Sequence, residues 1–137
     1  MVSLLIDGKK VEAESTQTIL QAAQKLGIHI PTLCHDPRLT PSGACRMCVV
    51  EVEGARSLVA SCATPVSAGM KVSTQSESVT RARKLNLELI WSHHPNDCLT
   101  CDKAGECQLQ ILMYEYDVKT SRFVEQNPPP QPDTSHP

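Results

Sequence analysis

Seven cysteines in 137 residues are the side chains with the most chemistry to offer. Four of them, Cys34, Cys45, Cys48 and Cys62, follow a C-x10-C-x2-C-x13-C spacing. Gly43 and Ala44 precede the C-x2-C pair. Such small residues let the backbone wrap closely, so that amide N–H groups can point at sulfur. Four thiolates suit either a tetrahedral zinc ion or an iron–sulfur cluster. A zinc ribbon uses two C-x2-C knuckles, whereas Cys34 and Cys62 stand singly, which weakens the zinc reading. The remaining cysteines follow a histidine as H-x3-C-x2-C-x5-C: His94, Cys98, Cys101 and Cys107. His93 adjoins His94, and the spacing to Pro95 favours His94 as the donor. Two four-donor sets then consume every cysteine and one histidine.

Once the cysteines are assigned, no Ser/His/Asp or Cys/His nucleophile set remains. There is no phosphate-cradling glycine loop and no dinucleotide fingerprint. A formal charge of −2 gives no electrostatic case for nucleic acid. No apolar run is long enough to span a bilayer. The N-terminus has neither a basic stretch nor an apolar h-region. A reducing, cytoplasmic compartment is therefore expected, with the cysteines as ligands or thiols rather than disulfides.

The elements that must position these donors follow from periodicity. Residues 2–6 alternate as a strand, Asp7-Gly8 signals a tight hairpin, and residues 9–13 return. Ser15-Thr16 offer a helix cap. Ile19, Ala22, Ala23 and Leu26 then form one helical face that Gly27 stops. From Pro31 to Met47 nothing is periodic, and so long a loop needs a reason. Val49, Val50 and Val52 start a second hairpin returning over 56–60, and 71–74 could close the sheet. The pattern predicts a small mixed sheet packed on one helix, an α+β fold. A helix is expected over 76–92, with Val79, Ala82, Leu85, Leu89 and Ile90 on its apolar arc. Leu109, Leu112, Met113 and Tyr116 give another short helix. Arg81, Arg83 and Lys84 read as a solvated face, Trp91 as core, and His29 and His35 as loop residues. His35 adjoins Cys34 and is placed to shield it; Arg46 and Met47 are candidates for setting polarity around the sulfurs. Residues 127–137 hold five prolines and read as an extended linker, with His136 inert within it.

The segment PTLCHDPRLTPSGACRMCVVEVEG…LVASCATPV resembles the plant-type [2Fe–2S] ferredoxin-like domain of a group of redox enzymes. The group comprises iron-only hydrogenases, the large iron–sulfur subunit of respiratory complex I, and electron-transfer subunits of NAD-linked hydrogenases and formate dehydrogenases. The resemblance covers about residues 1–78, although the first gap is longer than the C-x4-C of photosynthetic ferredoxins. It implies a β-grasp fold and a [2Fe–2S] cluster held by Cys34, Cys45, Cys48 and Cys62. HPNDCLTCDKAGECQLQ is similar to the segment that follows in the same enzymes, down to Pro95, Asp97, Gly105 and Leu109-Gln110. That similarity implies a small helical segment with a [4Fe–4S] cluster on His94, Cys98, Cys101 and Cys107. A neutral imidazole in place of a thiolate makes such a site less negative and raises its potential.

The implied organisation is a ferredoxin-like domain over 1–78, a cluster-binding segment over 79–120 and a Pro-rich tail over 121–137. The implied function is relay of single electrons, without a catalytic site in this chain. The implied partners are a flavin/NAD-binding diaphorase-type subunit, or a ferredoxin-linked one, and a catalytic hydrogenase or formate dehydrogenase subunit in a multi-subunit complex. A [2Fe–2S] centre of this ligand type can sit near about −400 mV, low enough for nicotinamide or hydrogen chemistry. Two other classes use the same residues: an iron–sulfur redox sensor, for which no readout element is visible, and a zinc-binding interaction module. The motifs fit equally a small separate subunit and the N-terminal part of a longer one.

Overall fold

A computed structural model describes residues 1–123 together with Pro132, Thr134 and Ser135. The expected tail over 121–137 thus lies mostly outside the described residues. Strand β1 (Val2–Ile6) and strand β2 (Lys9–Ala13) pair antiparallel, Val2 opposite Ala13. Asp7 and Gly8 between them have φ of +49° and +79°, the left-handed pair that a two-residue turn matching strand twist requires. Leu4, Ile6, Val11 and Ala13 face inward, as the alternation predicts.

Helix α1 (Ile19–Lys25) buries Ile19, Leu20, Ala22 and Ala23 against this face. Its cap is Thr18, not the expected Ser15-Thr16. Thr18 Oγ1 accepts from the Gln21 N–H, and the Gln21 side chain accepts from the Thr18 N–H. This reciprocal box satisfies two otherwise orphaned donors, which a serine or threonine further upstream cannot do. Gly27 ends the helix at φ +69°.

Strands β3 (Val49–Val52), β4 (Val59–Ala60) and β5 (Lys71–Ser73) complete a five-stranded sheet in the order β2-β1-β5-β3-β4. β1 and β5 run parallel, and the other pairs are antiparallel. This is the α+β, β-grasp arrangement expected of a ferredoxin-like domain. The returning strand is shorter than the expected 56–60, because pairing holds only at Val49–Ala60 and Val50–Val59. Thr74 ties β5 to the first hairpin: its N–H donates to Asp7 Oδ1 at 2.8 Å and its hydroxyl to Asp7 Oδ2.

Helix α2 (Glu77–Trp91) begins where Ser76 Oγ accepts the Val79 N–H across 3.3 Å. The chain divides into two compact units after Arg83. The expected apolar arc of α2 is corrected: Leu85 and Leu89 are 39% and 46% exposed, whereas Val79, Arg83, Leu87 and Trp91 are buried. The buried stripe steps by four, and Arg83 lies in it rather than on a solvated face. In the second unit, helix α3 (Gln108–Glu115) buries Leu109, Leu112 and Met113. It stops where Asp117 turns to φ +53° and the Val118 N–H returns to the Met113 carbonyl at 2.8 Å. Ser121 Oγ and Arg122 Nε anchor the chain that follows to Glu88, at its carbonyl and carboxylate, across 2.7 and 2.8 Å.

Candidate functional site

Cys34 lies in the long loop after α1, Cys45 near that loop's end, Cys48 at the entry to β3 and Cys62 just past β4. The fold brings the four together. Gly43 is buried at φ +64°, and a Cβ there would sit 3.5 Å from Ala60 Cβ and 3.7 Å from Ala63 Cβ. The loop therefore lies close to the chain around Cys62. The Cys45 N–H donates to Cys34 Sγ across 3.5 Å, and Ser42 Oγ lies 3.8 Å from the same sulfur. Ser61 clamps the other side: its N–H and hydroxyl both donate to the Cys48 carbonyl, at 3.2 and 2.7 Å.

The thiols differ in environment. The Cys45 amide holds the exposed Cys34 below its ordinary range. Burial pushes Cys62 up to about 12, aided by the neighbouring Cys48 thiol and by charge on Cys48 and Cys34, while the Gly43 amide opposes the rise. Cys48 and Cys62 are each 1% exposed. Beside Cys34, His35 Nδ1 is buried without a hydrogen-bond partner among the described residues. A buried polar atom in that state calls for a hydrogen-bond partner that the described residues do not supply. Soft sulfur donors, inward amides and this orphaned nitrogen fit a sulfur-rich cluster.

In the second unit, His94, Cys98, Cys101 and Cys107 line one recess together with Trp91 and Leu109. Successive turns shape it: the Thr100 N–H reaches the Asp97 carbonyl at 2.9 Å and the Ala104 N–H the Cys101 carbonyl at 3.1 Å. Gly105, at φ +88°, donates its N–H to Gln110 Oε1 across 2.8 Å, pinning the loop to α3. The His94 ring tilts against Trp91, with centroids 5.3 Å apart. His93 instead places Nδ1 2.9 Å from Ser92 Oγ and is not among the lining residues. Among the described residues, no three His, Cys, Asp or Glu side chains converge as tightly as one bound metal ion requires; the donors stand around a recess.

Residues 1–77 match the family of 2Fe-2S iron-sulfur cluster binding domains. The chain belongs to that family. Residues 83–122 match the NADH-ubiquinone oxidoreductase-G iron-sulfur binding region, a [4Fe–4S] family. The chain is thus an electron-transfer module carrying one [2Fe–2S] and one [4Fe–4S] cluster. It is 51% identical over 114 residues to the NADPH-Fe(3+) oxidoreductase subunit alpha of Geobacter sulfurreducens, covering 83% of this chain and 14% of that protein. It is 46% identical over 125 residues to the NADH-ubiquinone oxidoreductase 75 kDa subunit of Reclinomonas americana, covering 91% and 18%. With the NADP-reducing hydrogenase subunit HndD of Solidesulfovibrio fructosivorans it shares 47% over 128 residues, covering 90% and 22%. The chain therefore spans 14% to 22% of the length of these curated relatives. A crystal structure of an NAD+-reducing [NiFe]-hydrogenase superposes with a TM-score of 0.85 at 37% identity, over 99% of this chain and 57% of that one.

Sequence reasoning missed Ser61, gave Gln110 no structural role and misread Arg83 as solvated. For Arg83 a signal existed, since it falls four residues after Val79 and four before Leu87. Ser61 and Gln110 act through backbone groups that a sequence does not display.

Proposed function

We propose that Cys34, Cys45, Cys48 and Cys62 hold the [2Fe–2S] cluster and that His94, Cys98, Cys101 and Cys107 hold the [4Fe–4S] cluster. The observation that carries this reading is the single recess that His94 and the three cysteines line in the second unit; in the first unit, four thiols gather under inward amides. The ferredoxin-like domain then runs over about 1–78 and the second binding segment over about 79–120. When bound, the two clusters supply one-electron exchange.

The polypeptide contributes positioning, screening and access. The amides of Gly43 and Cys45 offset negative charge at Cys62 and Cys34. Buried Cys48 and Cys62 keep water from one side, while exposed Cys34 leaves an edge at which a partner's redox centre can approach. In the second unit His94 and Cys101 are the exposed donors. We propose that this module relays electrons between a flavin/NAD(P)-binding partner subunit and a catalytic subunit of hydrogenase or formate dehydrogenase type. The NAD(P)-linked names of its relatives support that choice. A cytoplasmic location suits seven unpaired thiols. No helix among the described residues is long and apolar enough to cross a membrane.

Anaerobic purification with iron, sulfide and zinc analysis tests the reading. About six iron and six sulfide per chain are expected, with two distinct paramagnetic resonance signals after dithionite reduction. A colourless protein containing zinc would overturn it.

A further inference from the structure

We propose that Arg83 sets the potential of the [2Fe–2S] site, its buried charge favouring the reduced state. The proposal rests on the ligand assignment above. Arg83 is 3% exposed. Its Nη2 donates to the Val49 carbonyl across 2.8 Å, and Val49 directly follows Cys48. Covalent geometry then keeps this nitrogen within about 9 Å of the Cys48 Cα. Burying a guanidinium is costly, and it does not shed its charge to escape that cost.

Part of the reason for its position is structural. Val49 pairs with Ala60 on β4, but β5 meets β3 only at Glu51 and Val52, so Arg83 supplies a donor beyond the end of β5. An uncharged side chain could do that much. What the guanidinium adds is a permanent positive charge beside a site of four thiolates, two of them deeply buried. Reduction there takes one electron from a low-potential donor (dithionite in the test) and adds one negative charge. No bond forms or breaks and no proton moves. A buried cation bonded to the residue next to Cys48 stabilises that added charge with little screening.

The test is a redox titration of the full, anaerobically reconstituted chain, monitored by the [2Fe–2S] paramagnetic resonance signal. Arg83→Met and Arg83→Gln should lower the reduced-to-oxidised ratio at fixed potential about tenfold, a shift of about 59 mV for one electron. Gln keeps a donor for the Val49 carbonyl. Arg83→Lys, which keeps the charge, should stay within about twofold of wild type. The proposal is overturned if Met or Gln variants load normally and titrate as wild type, or if Lys shifts as far as Met. It is equally overturned if neither neutral variant loads while Lys does so with an unshifted ratio only by restoring the fold, as shown by matched melting losses in Met and Gln apoprotein. The ligand assignment fails separately, if Cys48→Ser keeps an unaltered [2Fe–2S] signal.

Discussion

The Cys45 amide N–H points at Cys34 Sγ across 3.5 Å, joining the first and second donors of one set through the backbone of the second. That hydrogen bond favours the thiolate, and Cys34 is also exposed. Thiolate fraction and access together govern alkylation. In the apoprotein near neutral pH, Cys34 should react with iodoacetamide roughly tenfold faster than Cys62. Peptide mass spectrometry over a time course measures both rates, and equal rates would contradict this difference.

Cys62 gives a pH dependence of opposite origin. Its thiol rises in the fold from 9.0 to about 12, chiefly through burial. Between those values the folded apoprotein holds a proton that the unfolded chain releases, so the contribution to stability is complete below 9 and is lost as pH rises through about 12. Urea midpoints of the apoprotein should therefore fall from pH 8.5 to about 10.5. The fall should be smaller in Cys62→Ser, whose hydroxyl does not titrate there.

His94 shares its recess with three cysteines, whereas His93 is engaged beside Ser92. Replacing His94 by Cys should retain a [4Fe–4S] cluster and lower its potential, because a thiolate adds negative charge where imidazole adds none. Replacing His93 by Ala should leave that potential in place. Voltammetry of the two variants distinguishes them, and a shift confined to His93→Ala would reverse the assignment.

Thr18 and Gln21 cap α1 reciprocally. Thr18→Ala should cost about 1 kcal/mol of stability. The double variant with Gln21→Ala should cost less than the two single losses combined, since each bond helps to hold the other. Denaturant titration of the four proteins gives the coupling directly.

The first hairpin was legible because Asp7-Gly8 leaves few alternatives and because Leu4, Ile6, Val11 and Ala13 alternate cleanly. That His94, Cys98, Cys101 and Cys107 line one recess was legible for a similar reason: their spacing is short and local. The buried face of α2 was not. Leu85 and Leu89 are apolar and yet exposed, while Arg83 is charged and yet buried. Hydrophobicity marks what a helix can bury, and tertiary context decides what it does bury. Arg83 is buried with the Val49 carbonyl as its acceptor, and that acceptor lies 34 residues away in sequence. The α1 cap was misplaced for a smaller reason. Ser15, Thr16 and Thr18 are chemically alike, and only the Gln21 side chain selects among them.

The parallel pairing of β1 with β5 also fixes an order of events during synthesis. Leu5 meets Lys71 and Ile6 meets Val72, so the first strand waits for its central neighbour until after Cys62 has been made. All four thiols of the first set thus leave the ribosome before the sheet can close around them. At ordinary elongation rates that interval lasts about a second. Over that time the loops that carry these cysteines have the first hairpin, α1 and the β3–β4 pair to hold them, but not the central strand.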